Sequence, residues 1–317
     1  MSGPVGAEDV ERPIPSGPPP GAVVEILASR EATVGAFPVR RALPQRGRRT
    51  VGAWCFADHL GPGTVTAEQG LGIGPHPHLG LHTLTWLLAG EALHRDSLGS
   101  EQVIRPGQLN LMTAGHGIAH SEEGTGYAGP VHGVQLWIAQ PSATRDGGAA
   151  FEHHPELPRV ELDAAVVTVL VGGLAGARAP TRCDTHLVGA DVQLRAGRTV
   201  LPVSDHWEHA LVVLEGAVVV DGAPVVPGHL AYLGVGRDEL PLDVPDTART
   251  LLLGGPPFPE RLLMWWNYVA REPAEISAAH ADWLEGGPRF GTVASPLERI
   301  VTGPPPWPAE RSRHPAG

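Results

Sequence analysis

Lysine is absent from this chain of 317 residues, so all 23 strong cations are arginines, and 34 acidic residues leave a net charge of −11 with histidine neutral. A field of that sign repels phosphate backbones and anionic lipid, which argues against nucleic-acid and membrane partners. The basic run around Arg40, Arg41, Arg46, Arg48 and Arg49 reads first as a solvated face. Without lysine there is no strand lysine to hold nucleotide phosphates. His94-Arg95-Asp96, which mimics the tripeptide of a kinase catalytic loop, is therefore not one, and D-F-G and the glycine-rich phosphate loop are missing as well. The G-x-S-x-G elbow and the Walker motif are also absent, which leaves serine hydrolases and nucleotide hydrolases without support.

Cysteine is nearly absent. Cys55 and Cys183 lie far apart and form no C-x-x-C, which fits a reducing compartment, and the cytoplasm is the expected location. The opening MSGPVGAEDVERPIPSGPPPG carries acids and prolines where a signal peptide needs a basic start and an apolar run. The best apolar run, around Ala164 to Val171, is strand-sized and far short of the roughly 20 residues of a membrane span. Helical patterning is also scarce. It is confined to Pro273 through Leu284, where proline suits the first turn and Gly286-Gly287 ends the run.

What the chain has in quantity is short β-type runs between Gly, Pro and Asp: VVEILA, LHTLTWLLAG, QLNLMT, GVQLWIA, AVVTVLVG, HALVVLEGAVVVDG and ARTLLLGG. This spacing predicts an all-β sandwich or barrel. An internal repeat refines the expectation. His82 through Gly90 aligns with Glu208 through Gly216, and each copy is followed by a Pro-Gly turn, Pro106-Gly107 and Pro227-Gly228. Two related barrels follow, with the break between Gln140 and Pro158. The expected organisation is a flexible Pro/Gly-rich segment over 1–21, an N-terminal domain over 22–145, a C-terminal domain with a closing helix over 146–302, and a flexible tail over 303–317.

One constellation carries chemistry. His76-Pro77-His78 places two imidazoles at i and i+2, which on a strand share a face, and His120-Ser121-Glu122 does the same with an imidazole and a carboxylate. Two such strands would gather three nitrogens and one oxygen around one ion and leave about two octahedral positions open. No thiolate takes part, so a closed Cys-rich zinc site is not implied. Read alone, the same histidines would equally serve as hydrogen-bonded core residues.

Wider patterns decide between these readings. Gly70-Leu71-Gly72-Ile73-Gly74-Pro75-His76-Pro77-His78 resembles the first cupin motif. PHPHLGLHTLTWLLAGEALHRDSLGS with IRPGQLNLMTAGHGIAHSEE, and later MWWNYVAREPAEISAAHADWLEG, resemble the pirin family, and the likeness runs from about Val23 to Val293. That resemblance implies a bicupin, two cupin-type β-barrels with a short C-terminal helix. It implies one mononuclear metal ion in the N-terminal barrel, Fe(II) or another divalent transition metal, on His76, His78, His120 and Glu122. It further implies either a quercetin 2,3-dioxygenase-like enzyme acting on a small phenolic substrate, with Glu122 as ligand and base, or a non-enzymatic iron-dependent regulator acting through a protein partner. A monomer is expected.

Two positions depart from the family pattern. His82 stands where cupin motif one and many pirins carry Glu, which would remove a carboxylate close to the metal, and His116 stands where Arg is usual. By the repeat, Pro202, Ser204, Pro241 and Asp243 occupy the ligand positions of the second barrel, so no metal set is expected there. His206 and His209, three apart and hence on opposite strand faces, read as surface or core residues.

Overall fold

The computed structural model describes residues 24–307 except Ala36. The lead-in over 1–21 and the end of the tail lie outside the described residues. Strands dominate, and they form the same antiparallel arrangement twice.

In the N-terminal half a large sheet runs in the order Ala150–His154, Leu109–Thr113, Leu81–Ala89, Gly129–Ala139, Trp54–Val65, Phe37–Leu43 and Arg30–Val34. A four-stranded sheet, Ile73–His78, Ile118–Glu123, Ala92–Asp96 and Glu101–Ile104, faces it. The C-terminal half repeats the plan. Its large sheet includes His229–Gly234, Glu208–Glu215, Ala248–Gly255 and Val188–Leu194 in order, and its small sheet is Gly197–Pro202, Glu239–Val244, Val218–Val220 and Ala223–Val225. The two segments aligned by the repeat, Leu81–Ala89 and Glu208–Glu215, occupy the same place in their sheets. The chain is thus all-β with two cupin-type barrels and, among the described residues, one α-helix, Pro273–Glu285.

The two large sheets pack face to face. Leu84, Trp86, Val134 and Leu136 of the first meet Val171, Val212, Leu251 and Leu253 of the second in one buried cluster. Trp54, fully buried, reaches across, and its indole N–H donates to the carbonyls of Val188 (3.0 Å) and Gly254 (3.3 Å). Gly189 must be glycine to admit that ring, because a Cβ there would lie 2.7 Å from Trp54. Sheet membership crosses the boundary drawn from the sequence at 145/146. Glu25–Ala28 pairs with His229–Gly234 of the second barrel, and Ala150–His154 pairs with Leu109–Thr113 of the first. One edge of each large sheet is thus a strand from the other side of that boundary, a form of edge protection that local patterning does not reveal.

After the second barrel the chain returns to the first. A hairpin, Leu263–Trp265 with Tyr268–Ala270, and the helix pack on it through Trp265, Tyr268, Ile276 and Trp283, joined by Phe290 from beyond the helix. The helix starts at Pro273 and stops at Gly286 in the left-handed region (φ 70°), whose N–H caps Asp282 and Trp283 carbonyls. The tail read as flexible from Gly303 places Trp307 against this helix, with its indole N–H donating to Ser277 Oγ at 2.9 Å. No helix among the described residues is long and apolar enough to cross a membrane.

Candidate metal centre

Strands Ile73–His78 and Ile118–Glu123 lie antiparallel with His76 directly opposite His120. Alternation puts His78 on the same face as His76, and the three rings converge, with centroids 4.4 to 5.1 Å apart. One ligand nitrogen from each lies within 4.8 Å of the others, and all three residues are buried. No other such group of three occurs among the described residues.

Backbone carbonyls orient two of the rings. His76 Nδ1 bonds to the Gly74 carbonyl at 2.9 Å and His78 Nδ1 to the Asn267 carbonyl at 3.2 Å, so both Nδ1 atoms carry the proton and both Nε2 lone pairs face inward. His120 Nδ1 faces His94 Nδ1 at 3.4 Å, and His94 Nε2 lies 3.0 Å from Asp96 Oδ2. Asp96 Oδ1 accepts the backbone N–H groups of Leu98 and Ser100 at 2.9 and 3.0 Å. Burial acts to raise the Asp96 carboxyl, but its hydrogen bonds from His94 and Ser100 hold it below the usual range. The HRD tripeptide is therefore a support for His120, in the strand Ala92–Asp96 and the turn after it.

Burial lowers His76 to about 4, and burial with mutual repulsion holds His78 and His120 well below their ordinary value. All three are neutral at physiological pH, which is the protonation state a metal requires. His78 Nε2 and His120 Nε2 sit 3.1 Å apart. That spacing suits a shared cation, since metal–nitrogen bonds of about 2.1 Å place neighbouring ligand nitrogens about 3 Å apart. The donor set fits an imidazole-bound transition metal.

Glu122 lies on the same strand and lines the same cavity, but its carboxylate is outside the tight three-histidine group. A register shift between His120 and Glu122, with the extra residue on the Ile73–His78 strand, sets Glu122 opposite Ile73 rather than Gly74. Burial pushes its carboxyl up to about 7.

The cavity comprises about 630 Å³ of non-atom space, part of it open to solvent. Phe37, Phe56, Leu60, Ile73, Trp137 and Ile300 supply apolar wall; Asp58, Gln135 and Asn267 supply polar atoms. Asp58 is held by Arg41 in a buried bidentate pair, 2.7 Å for each bond. Thr85 Oγ1 donates to Gln135 Oε1 at 2.7 Å. Trp137 stacks on Phe56 (centroids 4.1 Å) and meets His78 edge-on at 5.2 Å.

Asn267 and Ile300 come from the far end of the chain, and sequence reasoning missed them. The signal for Asn267 was the quoted segment MWWNY. There Trp266 takes φ 54°, uncommon for a bulky residue, in the two-residue turn of the hairpin that carries the Asn267 carbonyl to His78.

His82 is not in this cavity. Strand alternation puts 82, 84 and 86 on the face packed against the second barrel, where His82 Nδ1 bonds Thr113 Oγ1 at 2.9 Å and Nε2 lies 3.2 Å from Asp184 of the C-terminal half. The expected loss of a carboxylate beside the metal therefore does not occur. Burial acts to raise Asp184, but hydrogen bonds from His82, Arg182, Thr144 and Gln140 outweigh it and hold the carboxyl well below the usual range. His116 is an exposed turn residue. His206 is exposed and His209 buried.

Two β-barrels, one with convergent strand-borne histidines, define the molecule as a cupin-type bicupin. Residues 36–138 match the Pirin family and residues 189–291 the Pirin C-terminal cupin domain. The chain belongs to the pirin family. It is 48% identical over 289 residues to "Putative quercetin 2,3-dioxygenase PA1205" of Pseudomonas aeruginosa, covering 90% of this chain and 91% of that protein. It is 34% identical to a pirin-like protein of Caulobacter vibrioides, covering 82% and 93%. A crystal structure of quercetin 2,3-dioxygenase from Acinetobacter baumannii superposes with a TM-score of 0.86 at 40% identity, covering 92% of this chain and 97% of that one.

Proposed function

We propose that this protein is a mononuclear metal-dependent dioxygenase of the quercetin 2,3-dioxygenase type, with His76, His78, His120 and Glu122 as ligands and Fe(II) as the native ion. The observation that carries the reading is the cavity, an apolar space that opens to solvent beside three neutral imidazoles. A regulator that only sensed iron through a protein partner could keep its ion capped, so the open cavity supports the enzyme over that rival. The same donors accept other divalent transition metals, so the ion recovered from purified protein is not by itself the native one.

The bound metal would supply Lewis acidity and a template for substrate and oxygen. The protein's own residues account for the rest. Phe56 and Trp137 form a flat apolar wall for an aromatic ring. Gln135, its carbonyl oxygen held by Thr85, keeps its amide nitrogen for a substrate oxygen. Glu122, near neutrality, accepts the proton of a phenolic hydroxyl, a role that requires it to loosen from any metal it binds. Among the described residues no arginine lines the cavity, which favours neutral hydroxylated arenes over phosphorylated ligands.

The proposed enzyme acts as a monomer. Both cysteines are free and burial pushes the Cys55 thiol up to about 12, which fits a reducing cytoplasm. The test is anaerobic reconstitution with Fe(II) followed by oxygen uptake with quercetin. Wild type should consume oxygen in step with substrate loss, and Glu122→Ala and His78→Ala should not. Tight iron binding without turnover on any of several phenols would overturn the enzyme in favour of the regulator.

A further inference from the structure

The cavity belongs to the N-terminal barrel by sequence, yet part of its wall is the last stretch of described chain. Beyond the helix, residues 287–301 run back across the first barrel with no regular structure. This strap grips both histidine-bearing strands, each at the residue before a histidine. The Phe290 carbonyl accepts the N–H of Ala119 at 3.1 Å, and Ile300 N–H donates to the Pro75 carbonyl at 2.8 Å. The Ile300 carbonyl accepts the indole N–H of Trp283 at 2.9 Å, and the Arg299 guanidinium lies over the same indole at 3.9 Å. Gly74 makes room for the strap, since a Cβ there would collide with the Glu298 carbonyl.

Between these anchors, residues 291–299 alternate between exposed and half-buried. Val34, Phe37, Phe56, Leu60, Ile73 and Trp137 are fixed in sheet ladders and cannot leave the cavity without breaking strand pairing. Ile300 differs. It lines the cavity and packs against two apolar clusters, yet two hydrogen bonds hold its backbone. Segments with few buried contacts and exposed backbone bonds open at the lowest free-energy cost.

We propose that Ile300 is the gate of the cavity and sets which ligands reach the three histidines, with the Trp283 hydrogen bond as its latch. The inference rests on the reading that substrate enters this cavity, but its first test does not need activity or metal. Apo-protein is treated with diethylpyrocarbonate, and modification of His76, His78 and His120 is mapped by peptide mass spectrometry. His206, whose side chain is 89% exposed, serves as the internal rate standard.

Trp283→Phe removes the latch while leaving the cavity lining intact. It should raise the rate at the cavity histidines by about fivefold, the population shift given by one lost hydrogen bond of ordinary net strength. Ile300→Ala should raise the rate further and Ile300→Phe should lower it. Unchanged cavity rates in both Trp283→Phe and Ile300→Ala, with native melting curves, would overturn the gate. If Ile300→Ala does not fold, Trp283→Phe and Ile300→Phe decide the matter by the same criterion.

A second arm measures quercetin binding to Ni(II)-loaded protein by tryptophan quenching. Ile300→Phe should slow association and Ile300→Ala should speed it. If wild type binds no flavonol, the proposed substrate class fails, while the labelling experiment still judges the gate.

Discussion

The two barrels share a topology and differ in what fills them. In the first, His76 faces His120 across the small sheet; in the second the same strand pair sets Val200 opposite Pro241. The second interior closes on Leu201, Leu240, Leu242 and Val220, all fully buried. Aliphatic fill is therefore enough to hold this fold. The first barrel gives up that fill for three imidazoles, which remain neutral and bond outward to Gly74, Asn267 and His94. Buried polar groups persist when their hydrogen bonds are met, and here the partners come from the same strand, the hairpin after the second barrel and the neighbouring strand.

The sharpest break in the comparison is a pair of truncations. His120→Ala should abolish metal uptake, read by elemental analysis after Fe(II) or Ni(II) loading, with little change in the apo-protein's melting. Leu242→Ala should leave metal uptake intact and lower stability by about 2–5 kcal/mol in denaturant titration, the usual cost of a core cavity. Metal loss in the second variant would mean that the barrels are not independent in function.

Each barrel also has a bidentate Arg–Asp pair between neighbouring strands, Arg41 with Asp58 and Arg249 with Asp191. Arg41 is 1% exposed, whereas the Arg249 side chain retains 20% exposure. Asp58→Ala should cost about 3–5 kcal/mol by stranding a buried cation. Asp191→Ala should cost less, because water can reach Arg249, and equal costs would refute the role assigned to burial.

A third test concerns acid. Burial, then Arg40 and His132, lowers His59 of the first barrel to about 3, and burial lowers His209 of the second to about 4. Their folded values lie below the ordinary unfolded value, so the unfolded chain binds more protons in the window between. Their contribution to stability is complete above about pH 6.5 and is lost as pH falls toward about 4. Melting temperature should therefore drop across that window, and His59→Gln and His209→Gln should each flatten the slope. An unchanged slope in both would remove these two histidines as its cause.

The smallest effect is expected at the barrel interface. His82→Gln should shift stability by about 1 kcal/mol through its contacts with Thr113 and Asp184 and leave metal affinity unchanged. A marked change in affinity would return His82 to the metal's surroundings.

Much of this was legible along the chain. The period-two pattern of Ile73–His78 and Ile118–Glu123 predicts which side chains share a face, and the repeat identifies equivalent strands in the two barrels. Glu122 shows the limit. Its spacing from His120 predicts a shared face, and it does line the same cavity, but how close its carboxylate comes to the three imidazoles depends on packing that spacing does not encode. His82 failed for a related reason. Motif position names the residue, while the face it occupies depends on which side of the sheet meets the second barrel.

By itself the sequence determined the strand-rich repeat and the strand face that His76 and His78 share, because these follow from local periodicity, while likeness to a family assigned the histidines to a metal. Only the tertiary structure decided which strands close each edge, that Asn267 and Ile300 complete the cavity, and that His94 and Asp96 stand behind His120. Those contacts join residues far apart in the chain, and long-range packing, which no local pattern encodes, brings them together.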